Sequence, residues 1–212
     1  MFKVANSIAY NNLMISATKN SLCEAEKIFP QSLWFDVKTT ESMGHWVEKE
    51  GETVIKILSK IINNSHEMPS LYIISPFKKV AGNMKSLIAK ELKGTKFNSG
   101  SITKDQIKNW LYNKSIGTIH TFQGKEAQIV ILLLGGNADL SRPGSRNWVA
   151  EEPNILNVGL TRAKNLVFVV GNYDDWKRRN YFGELASEIK RVDIEDVFDE
   201  ETIKELPKRA IM

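Results

Sequence analysis

"AQIVILLLGG", residues 127–136, indicates the fold class, because its central residues from Ile129 to Leu134 are all apolar. A strand without polar alternation is buried on both faces, which is typical of a parallel sheet covered by helices on either side. The other predicted strands are residues 33–37, 71–76, 115–120 and 165–172. Right-handed crossovers between such strands predict a three-layer α/β domain with a mainly parallel sheet.

Helical patterns separate these strands along the chain. The predicted helices are residues 45–62, 78–92, 153–163 and 181–191,. Residues 1–32 show no strong period and are predicted to form an N-terminal arm of the domain. We expect the domain itself to cover residues 33–192, and residues 193–212 to form an acidic helix or tail.

The composition is that of an ordinary one-domain globular protein, with 212 residues, of which 42% are hydrophobic and 25% charged,. A single cysteine, Cys23, excludes an internal disulfide, and the three scattered histidines offer no zinc-ligand spacing,. We therefore expect no metal ligands in this chain. No signal peptide or long uncharged apolar stretch is present, so a cytoplasmic protein without a membrane partner is expected,.

The charge is distributed unevenly. The formal net charge is +4, but residues 193–205 hold seven acids and one lysine, a local net charge of −6. The rest of the chain therefore carries +10, a charge that favours binding to nucleic acid or to nucleotide phosphates. A merely well-solvated surface remains the alternative.

A nucleotide-hydrolysing centre needs a glycine-rich loop that ends in Lys-Ser/Thr, where backbone N–H groups surround the phosphates. "GK" occurs at Gly124-Lys125, but Glu126 follows it, and Ile119 stands where the first glycine of the loop would be. The chain alone therefore lacks a P-loop, and we expect it to be inactive as an ATPase.

Two further stretches carry a family resemblance. "GTIHTFQGKEAQIVIL" (117–132) and "NILNVGLTRAKNLVFVVGN" (154–172) resemble motifs V and VI of superfamily 1 helicases. The match is closest to the branch that includes the RNA-surveillance and replication-associated helicases and their bacterial relatives. In order along the chain, "SIAYNNLM", "FDV", "EGETVIKIL" and "YIISPFKKVAGNM" also resemble earlier parts of the same domain. The resemblance implies a RecA-like fold, and specifically the second of the two RecA-like domains of such an enzyme.

This resemblance implies a nucleotide-facing set of residues. Arg162 in "LTRAK" matches the arginine finger of the family, and Thr161 is expected to steady the turn that aims it,. The positions near the nucleotide match Gln123, Gly124, Lys125 and Glu126. The resemblance further implies that ATP with Mg²⁺ is bound mainly by the first RecA-like domain of the same longer chain. From the residues alone, Arg162 could instead cap the end of a helix.

The resemblance also implies a nucleic-acid edge formed by Thr118, His120 and Thr121, whose short polar side chains suit phosphate contacts,. The expected partner is single-stranded DNA or RNA. Because ligands of parallel sheets collect at the carboxyl ends of strands, we expect "TIHTFQGKE" and the loop "NADLSRPGSRNW" to lie at that edge. A lone histidine after a strand is also compatible with a purely structural role.

Three features depart from the family or stay open. Asn154 and Ile155 stand where many relatives have paired arginines, so a second cation must come from Arg142, Arg146 or Lys164. Val80 stands where a glutamine often follows motif IV. Trp148 and Trp176 flank the expected edge and could stack on bases, although tryptophan is more often packed in the interior.

Two functions remain open at this point. The preferred one is the second motor domain of an ATP-dependent superfamily 1 helicase or translocase, monomeric when isolated. The alternative is a stand-alone RecA-like nucleic-acid-binding module without ATPase activity. A dinucleotide-binding oxidoreductase is not supported, because no Gly-x-Gly-x-x-Gly run occurs in the chain,.

Overall fold

The computed structural model of the chain describes residues 23–94, 97, 100–151 and 153–194. Most of the predicted arm and most of the acidic segment lie outside the described residues. The strands are β1 (Leu33–Asp36), β2 (Leu71–Ser75), β3 (Ile116–Thr118), β4 (Ala127–Leu133), β5 (Ala163–Gly171) and β6 (Lys190–Asp193).

These six strands form one sheet in the order β3-β2-β4-β5-β1-β6, and every neighbouring pair is parallel. The two central strands, β4 and β5, are almost entirely buried, as the apolar run in β4 predicts. Ile131 of β4 lies opposite Ile73 on one side and Phe168 on the other. The sheet therefore has the parallel core expected from residues 127–136.

Helices cover both faces of this sheet. They are α1 (Ala25–Ile28), α2 (Glu48–Asn63), α3 (Lys78–Glu91), α4 (Lys104–Tyr112), α5 (Gly144–Glu151), α6 (Pro153–Thr161), α7 (Tyr173–Trp176) and α8 (Phe182–Glu188). Right-handed crossovers place α2 and α3 on one face and α6 and α8 on the other,. Helices α2, α3 and α4 contact one another in sequence. The predicted three-layer α/β architecture is confirmed.

The core includes residues from the described part of the predicted arm. Ala25 and Phe29 are fully buried, and the Phe29 ring meets the Phe168 ring edge-on at 5.1 Å between centroids. Phe35 of β1 also packs edge-on against Phe168, at 5.7 Å. The segment that leads into β1 therefore contributes to the hydrophobic core beneath the sheet.

Several predicted elements have different bounds in the structure. The strand predicted at 115–120 ends at Thr118, and the chain continues as a 3₁₀ turn, Ile119–Phe122. The helix predicted at 153–163 ends at Thr161, and β5 begins at Ala163. Arg162 therefore occupies the one position between a helix and a strand.

The sequence prediction missed α4, α5 and β6, and also the one-turn helices α1 and α7. Helix α4 begins with a capping box, in which the Gln106 N–H donates to the Thr103 hydroxyl and the Thr103 N–H donates to the Gln106 side chain,. The helix predicted at 181–191 ends at Glu188, because β6 pairs with β1 from Lys190 onward. Only Val192 of β6 is buried, and the other three residues of this edge strand are charged,. In the sequence, such a run is indistinguishable from the solvated end of a helix.

A short crossover, residues 119–126, connects β3 to β4. It starts at the carboxyl end of β3 and ends at the amino end of β4, so it runs across the sheet from one edge to the other. Phe122 anchors it, since its ring is fully buried and lies 4.5 Å from the Tyr72 ring of β2. The prediction that all of "TIHTFQGKE" lies at the carboxyl edge was wrong, because Gln123 to Glu126 reach the amino edge.

Two kinds of feature are absent from the described residues. In that part of the chain, no helix is both long and apolar enough to cross a membrane. The same residues contain no group of three or more His, Cys, Asp or Glu side chains arranged to hold a metal ion.

Candidate nucleotide and nucleic-acid sites

Arg162 lies at the amino edge of the sheet, where its backbone is held on both sides. Its N–H donates to the Val158 carbonyl at 3.2 Å, as the last turn of α6 requires. Its own carbonyl accepts from the Ala127 N–H at 2.9 Å, at the start of β4. The base of the side chain is therefore fixed by two elements, while the guanidinium remains partly exposed to solvent.

The guanidinium of Arg162 is oriented by two weak hydrogen bonds. Nη2 donates to the Thr161 hydroxyl at 3.2 Å and Nη1 donates to the Lys125 carbonyl at 3.4 Å, while the Thr161 hydroxyl donates to the Asn157 carbonyl at 2.9 Å. Neither acceptor is a carbonyl of the last turn of α6, so the Arg162 side chain does not cap this helix by hydrogen bonds. Among the described residues, Nε has no partner and no carboxylate forms an ion pair with the group.

The residues before β4 form an open turn beside Arg162. Gly124 has a φ of +76°, and no atom lies within 4 Å of the position that a Cβ would take. The turn is closed by the Lys125 N–H, which donates to the Phe122 carbonyl at 3.1 Å. Gln123 is exposed in the same turn. A ligand therefore has access to the backbone at Gly124, next to the guanidinium of Arg162.

Glu126, at the end of this turn, forms an ion pair with Lys164. The carboxylate Oε2 and the Lys164 Nζ are 3.0 Å apart, and the two side chains are 56% and 48% exposed. An exposed pair of this kind contributes at most about 1 kcal/mol, so a ligand could separate the two groups. Lys164 follows Arg162 by two residues and shares its edge of the sheet.

The other two candidates for a second cation lie at the opposite, carboxyl edge, so those predictions were wrong. Arg146 is 4% exposed and pairs through Nε with Asp175 Oδ2 at 3.1 Å, while Arg142 lies 3.6 Å from Asp139. The length of β5 separates them from Arg162 by roughly 26 Å, at about 3.3 Å per residue. Nearness in sequence could not reveal this, because β4 ends at one edge and β5 begins at the other.

A basic groove runs along the edge strand β3, with a volume of about 650 Å³. The three residues predicted to bind nucleic acid, Thr118, His120 and Thr121, all line it. His120 is exposed, whereas Thr118 and Thr121 are half-buried. No aspartate or glutamate is among its lining residues. The groove therefore has hydrogen-bond donors and positive charges but no negatively charged side chain in its lining.

Four lysines complete the basic groove: Lys78, Lys85, Lys114 and Lys125. Only Lys125 was expected at a site from the sequence, and there it was matched to the nucleotide rather than to nucleic acid. They come from α3, from the turn before β3 and from the crossover, so no local charge run identified them. None of the four forms an ion pair with a described residue. For Lys78, Lys85 and Lys114, the excess of positive charge outside residues 193–205 was the only signal in the sequence.

Lys114 also has an unusual backbone conformation. Its φ is +57°, in the left-handed region that costs a residue with a Cβ about 1–2 kcal/mol,. Strain of this kind is concentrated at functional sites, and here it brings a charged side chain to the amino end of the basic groove,.

The carboxyl edge contains a buried carboxyl group, Glu50. It accepts a hydrogen bond from the Gly135 N–H at 2.8 Å. Burial raises the pKa of Glu50 to about 8, although the Gly135 N–H and the charge of Arg146 both act to lower it. Val80, at the position of the missing family glutamine, is 1% exposed, and its Cγ2 atom would lie 2.9 Å from a Cβ added at Gly135. Val80 is therefore a packing residue.

The two tryptophans have different environments. Trp176 is 1% exposed and packs against Phe182 with 4.6 Å between ring centroids, so it is unable to stack on a base. Trp148 on α5 is 51% exposed, and its ring lies 6.2 Å from that of Phe77. Of the two expected aromatic contacts, only Trp148 remains available.

An all-parallel sheet of this strand order, with helices on both faces, defines a RecA-like α/β domain of the P-loop NTPase fold class. Residues 2–174 match the AAA_12 family, described as an AAA domain and of the superfamily 1 helicase type. The match covers most of the chain, so the protein belongs to this family of helicase domains.

Two curated relatives agree with this assignment. The chain is similar to the DNA polymerase alpha-associated DNA helicase A of Saccharomyces cerevisiae, with 27% identity over 185 residues, which cover 82% of this chain and 24% of the yeast protein. It is also similar to an uncharacterized ATP-dependent helicase of Caenorhabditis elegans, with 31% identity over 75 residues, 35% of this chain and 4% of that protein. The chain thus matches at most about a quarter of the length of these relatives.

Proposed function

We propose that this chain is the second RecA-like motor domain of an ATP-dependent superfamily 1 helicase or translocase, and that Arg162 is its arginine finger. The observation that carries the proposal is the state of the Arg162 guanidinium. It is oriented by Thr161 and Lys125 but is not neutralised by any described carboxylate. An oriented guanidinium that is planar, always positively charged and not paired with a carboxylate can stabilise the negative charge that develops on a transferred phosphoryl group.

The amino edge has the groups that a second domain needs for ATP. Gly124 leaves room for close approach to the backbone, and Arg162 and Lys164 supply cations. Glu126 would accept from a ribose hydroxyl once its pair with Lys164 opens. ATP with Mg²⁺, which supplies the reacting phosphoryl group, would be held mainly by the first RecA-like domain of the same longer chain.

We further propose that the basic groove is the track for single-stranded DNA or RNA. Lysine ammonium groups, threonine hydroxyls and an imidazole are suited to phosphates, and contacts to phosphates position a strand without reading its sequence. The residues that carry this proposal are Lys78, Lys85, Lys114, Thr118 and His120.

The crossover supports a link between the two sites. Its first half contributes His120 and Thr121 to the basic groove, and its second half contributes Gly124 and Lys125 beside Arg162. Closure of the ATP cleft would therefore act on the same short segment that touches the strand. The crossover would in this way couple hydrolysis to movement along a nucleic acid.

The first experiment replaces Arg162 by alanine in the longer chain that contains both RecA-like domains. ATP hydrolysis should fall by about 10³-fold or more, while ATP binding should be largely kept. Arg142→Ala is the matched control, because Arg142 is an exposed arginine at the opposite edge. Near-normal hydrolysis by the Arg162 variant would refute the finger. The 212-residue chain alone should show negligible ATPase activity.

The second experiment tests the basic groove with the 212-residue chain and an oligothymidylate at several salt concentrations. Removing one phosphate contact from a single strand lowers the slope of log K against log salt by about 0.7. We expect this change for Lys85→Ala and none for Lys90→Ala, since Lys90 lies on α3 outside the groove. Binding that does not depend on salt would contradict the proposal.

If the basic groove binds a single strand but the native gene product has a mass near 24.0 kDa, the stand-alone binding module becomes the better description.

A further inference from the structure

Three aromatic rings, those of His45, Phe77 and Trp148, form a row at the carboxyl edge of the sheet. The His45 and Phe77 rings are stacked, with 4.2 Å between centroids and 12° between planes. The Trp148 ring follows, 6.2 Å from Phe77 and tilted by 41°. Phe77 is 7% exposed and Trp148 is 51% exposed, so the aromatic row ends in a ring that is open to solvent.

This exposure is exceptional among the five tryptophans of the chain. The other four tryptophans, Trp34, Trp46, Trp110 and Trp176, are between 0% and 9% exposed. Two of them donate their indole N–H groups to backbone carbonyls, Trp34 to Gly171 and Trp110 to Leu71. Trp148 is thus the one tryptophan that offers a large apolar face to a ligand.

The aromatic row and the basic groove meet at the start of α3. Phe77 immediately precedes Lys78, which lines the groove. Pro76 and Ile119, the neighbours of Phe77 and His120 along the chain, line one small apolar cleft. A strand whose phosphates lie in the groove at Lys78 and His120 would therefore bring its bases towards the Trp148 ring.

We infer that Trp148 stacks on an unpaired base of the single strand that occupies the basic groove. Bases of every type have a π face, so this contact favours unstacked, single-stranded nucleic acid without selecting a sequence. In a duplex the bases are stacked on one another and are not available. The inference rests on the proposed function of the groove.

The test compares two oligonucleotides that carry the same number of phosphates, an oligothymidylate and an abasic strand of equal length. With the 212-residue chain, the oligothymidylate should bind about 5- to 150-fold more tightly, the range typical of stacking one base on an aromatic side chain. Trp148→Ala should remove this preference and leave binding of the abasic strand unchanged. Trp148→Phe should keep most of it.

Two controls complete the design. Leu140→Ala removes another exposed apolar side chain, 58% exposed and in the loop before α5, and should leave the preference intact. Acrylamide quenching reports mainly on Trp148, because the other tryptophans are buried. Saturation with oligothymidylate should protect this fluorescence from acrylamide, whereas the abasic strand should not.

The possible failures are distinguishable. Equal affinity of the wild-type chain for both strands would overturn stacking while leaving the groove proposal in place. No binding of either strand at low salt would overturn both proposals. If Trp148 is protected from acrylamide in a concentration-dependent way without any oligonucleotide, the ring is covered by a second copy of the chain, and base stacking is refuted.

Discussion

At the scale of single residues, Thr161 accounts for how Arg162 is held. Its hydroxyl donates to the Asn157 carbonyl within α6 and accepts from Arg162 Nη2. One hydroxyl thus connects the last turn of the helix to the guanidinium. Substitution of Thr161 should therefore affect the direction of the guanidinium without removing its charge.

We predict that Thr161→Val, in the longer two-domain chain, lowers kcat for ATP hydrolysis by about tenfold, because one charge-assisted hydrogen bond is worth roughly 1.5 kcal/mol. KM for ATP should change little, since valine keeps the shape of threonine and the charge of Arg162 remains. Thr161→Ser restores a hydroxyl and should restore most of the rate. A loss of ATP affinity with unchanged kcat would show that Thr161 does not act through Arg162.

At the scale of elements, the crossover depends on a glycine. A Cβ at Gly117 in β3 would lie 2.5 Å from the Thr121 Oγ1 and 2.8 Å from its Cβ. The chain turns back over β3 at this point, and the Thr121 side chain takes the space that a larger residue at position 117 would fill. The start of the crossover is therefore held against the strand by close packing.

We predict that Gly117→Ala lowers the free energy of unfolding by about 1–3 kcal/mol, the usual cost of overpacking. Gly82→Ala is the matched control, because no atom lies within 4 Å of the added Cβ and the residue sits inside α3. That substitution should raise the free energy of unfolding by about 0.5–1 kcal/mol through helix propensity. Denaturant titrations of both variants would test the contrast, and equal effects would contradict the packing argument.

Hydrophobic pattern predicted the buried strands and the longer helices at this scale, since those elements follow from periodicity. It did not predict β6, where only Val192 is buried, or α5, which begins in a loop-like run around Pro143. It also failed at the 3₁₀ turn, because Ile119 continues the apolar pattern of β3 although the chain has already left the sheet. Boundaries of this kind are set by tertiary packing.

At the scale of the whole molecule, the Arg162 site lies at the amino edge of the sheet, whereas the basic groove runs along β3 from that edge to the carboxyl edge. The finger match at Arg162 was recognisable in the sequence because its motif is contiguous. The basic groove was not, because Lys78, Lys85 and Lys114 come from separate segments that join Lys125 only in the folded chain. For the same reason the sequence offered Arg142 and Arg146 as partners of Arg162, although the full length of β5 separates them.

The buried carboxyl of Glu50 makes the stability of the molecule depend on pH. Its pKa is about 8 in the folded state and 4.5 ordinarily, so the folded chain binds the extra proton between these values. The free energy of unfolding should therefore fall as pH rises from about 4.5 to 8, by up to about 1.4 kcal/mol per pH unit. Arg146, the charged group that faces Glu50, moderates this loss.

Glu50→Gln keeps an oxygen that can accept from the Gly135 N–H but cannot ionise, so it should flatten this dependence in thermal or denaturant unfolding. Glu48→Gln, an exposed position on the same helix, should leave the slope as it is in the wild type. A wild-type slope that persists in the Glu50 variant would show that another group is responsible.

The crossover has a last consequence, which concerns evolution. Its eight residues, four of them in a 3₁₀ turn, reach from the carboxyl edge of the sheet to its amino edge. The connection contains no longer helix that could gain or lose a turn. Deletion of one residue would pull Phe122 out of its buried position, whereas the loop between β4 and α5 lies at the surface and has spare length,. We therefore expect insertions and deletions among relatives to accumulate in that loop and to be rare between residues 119 and 126.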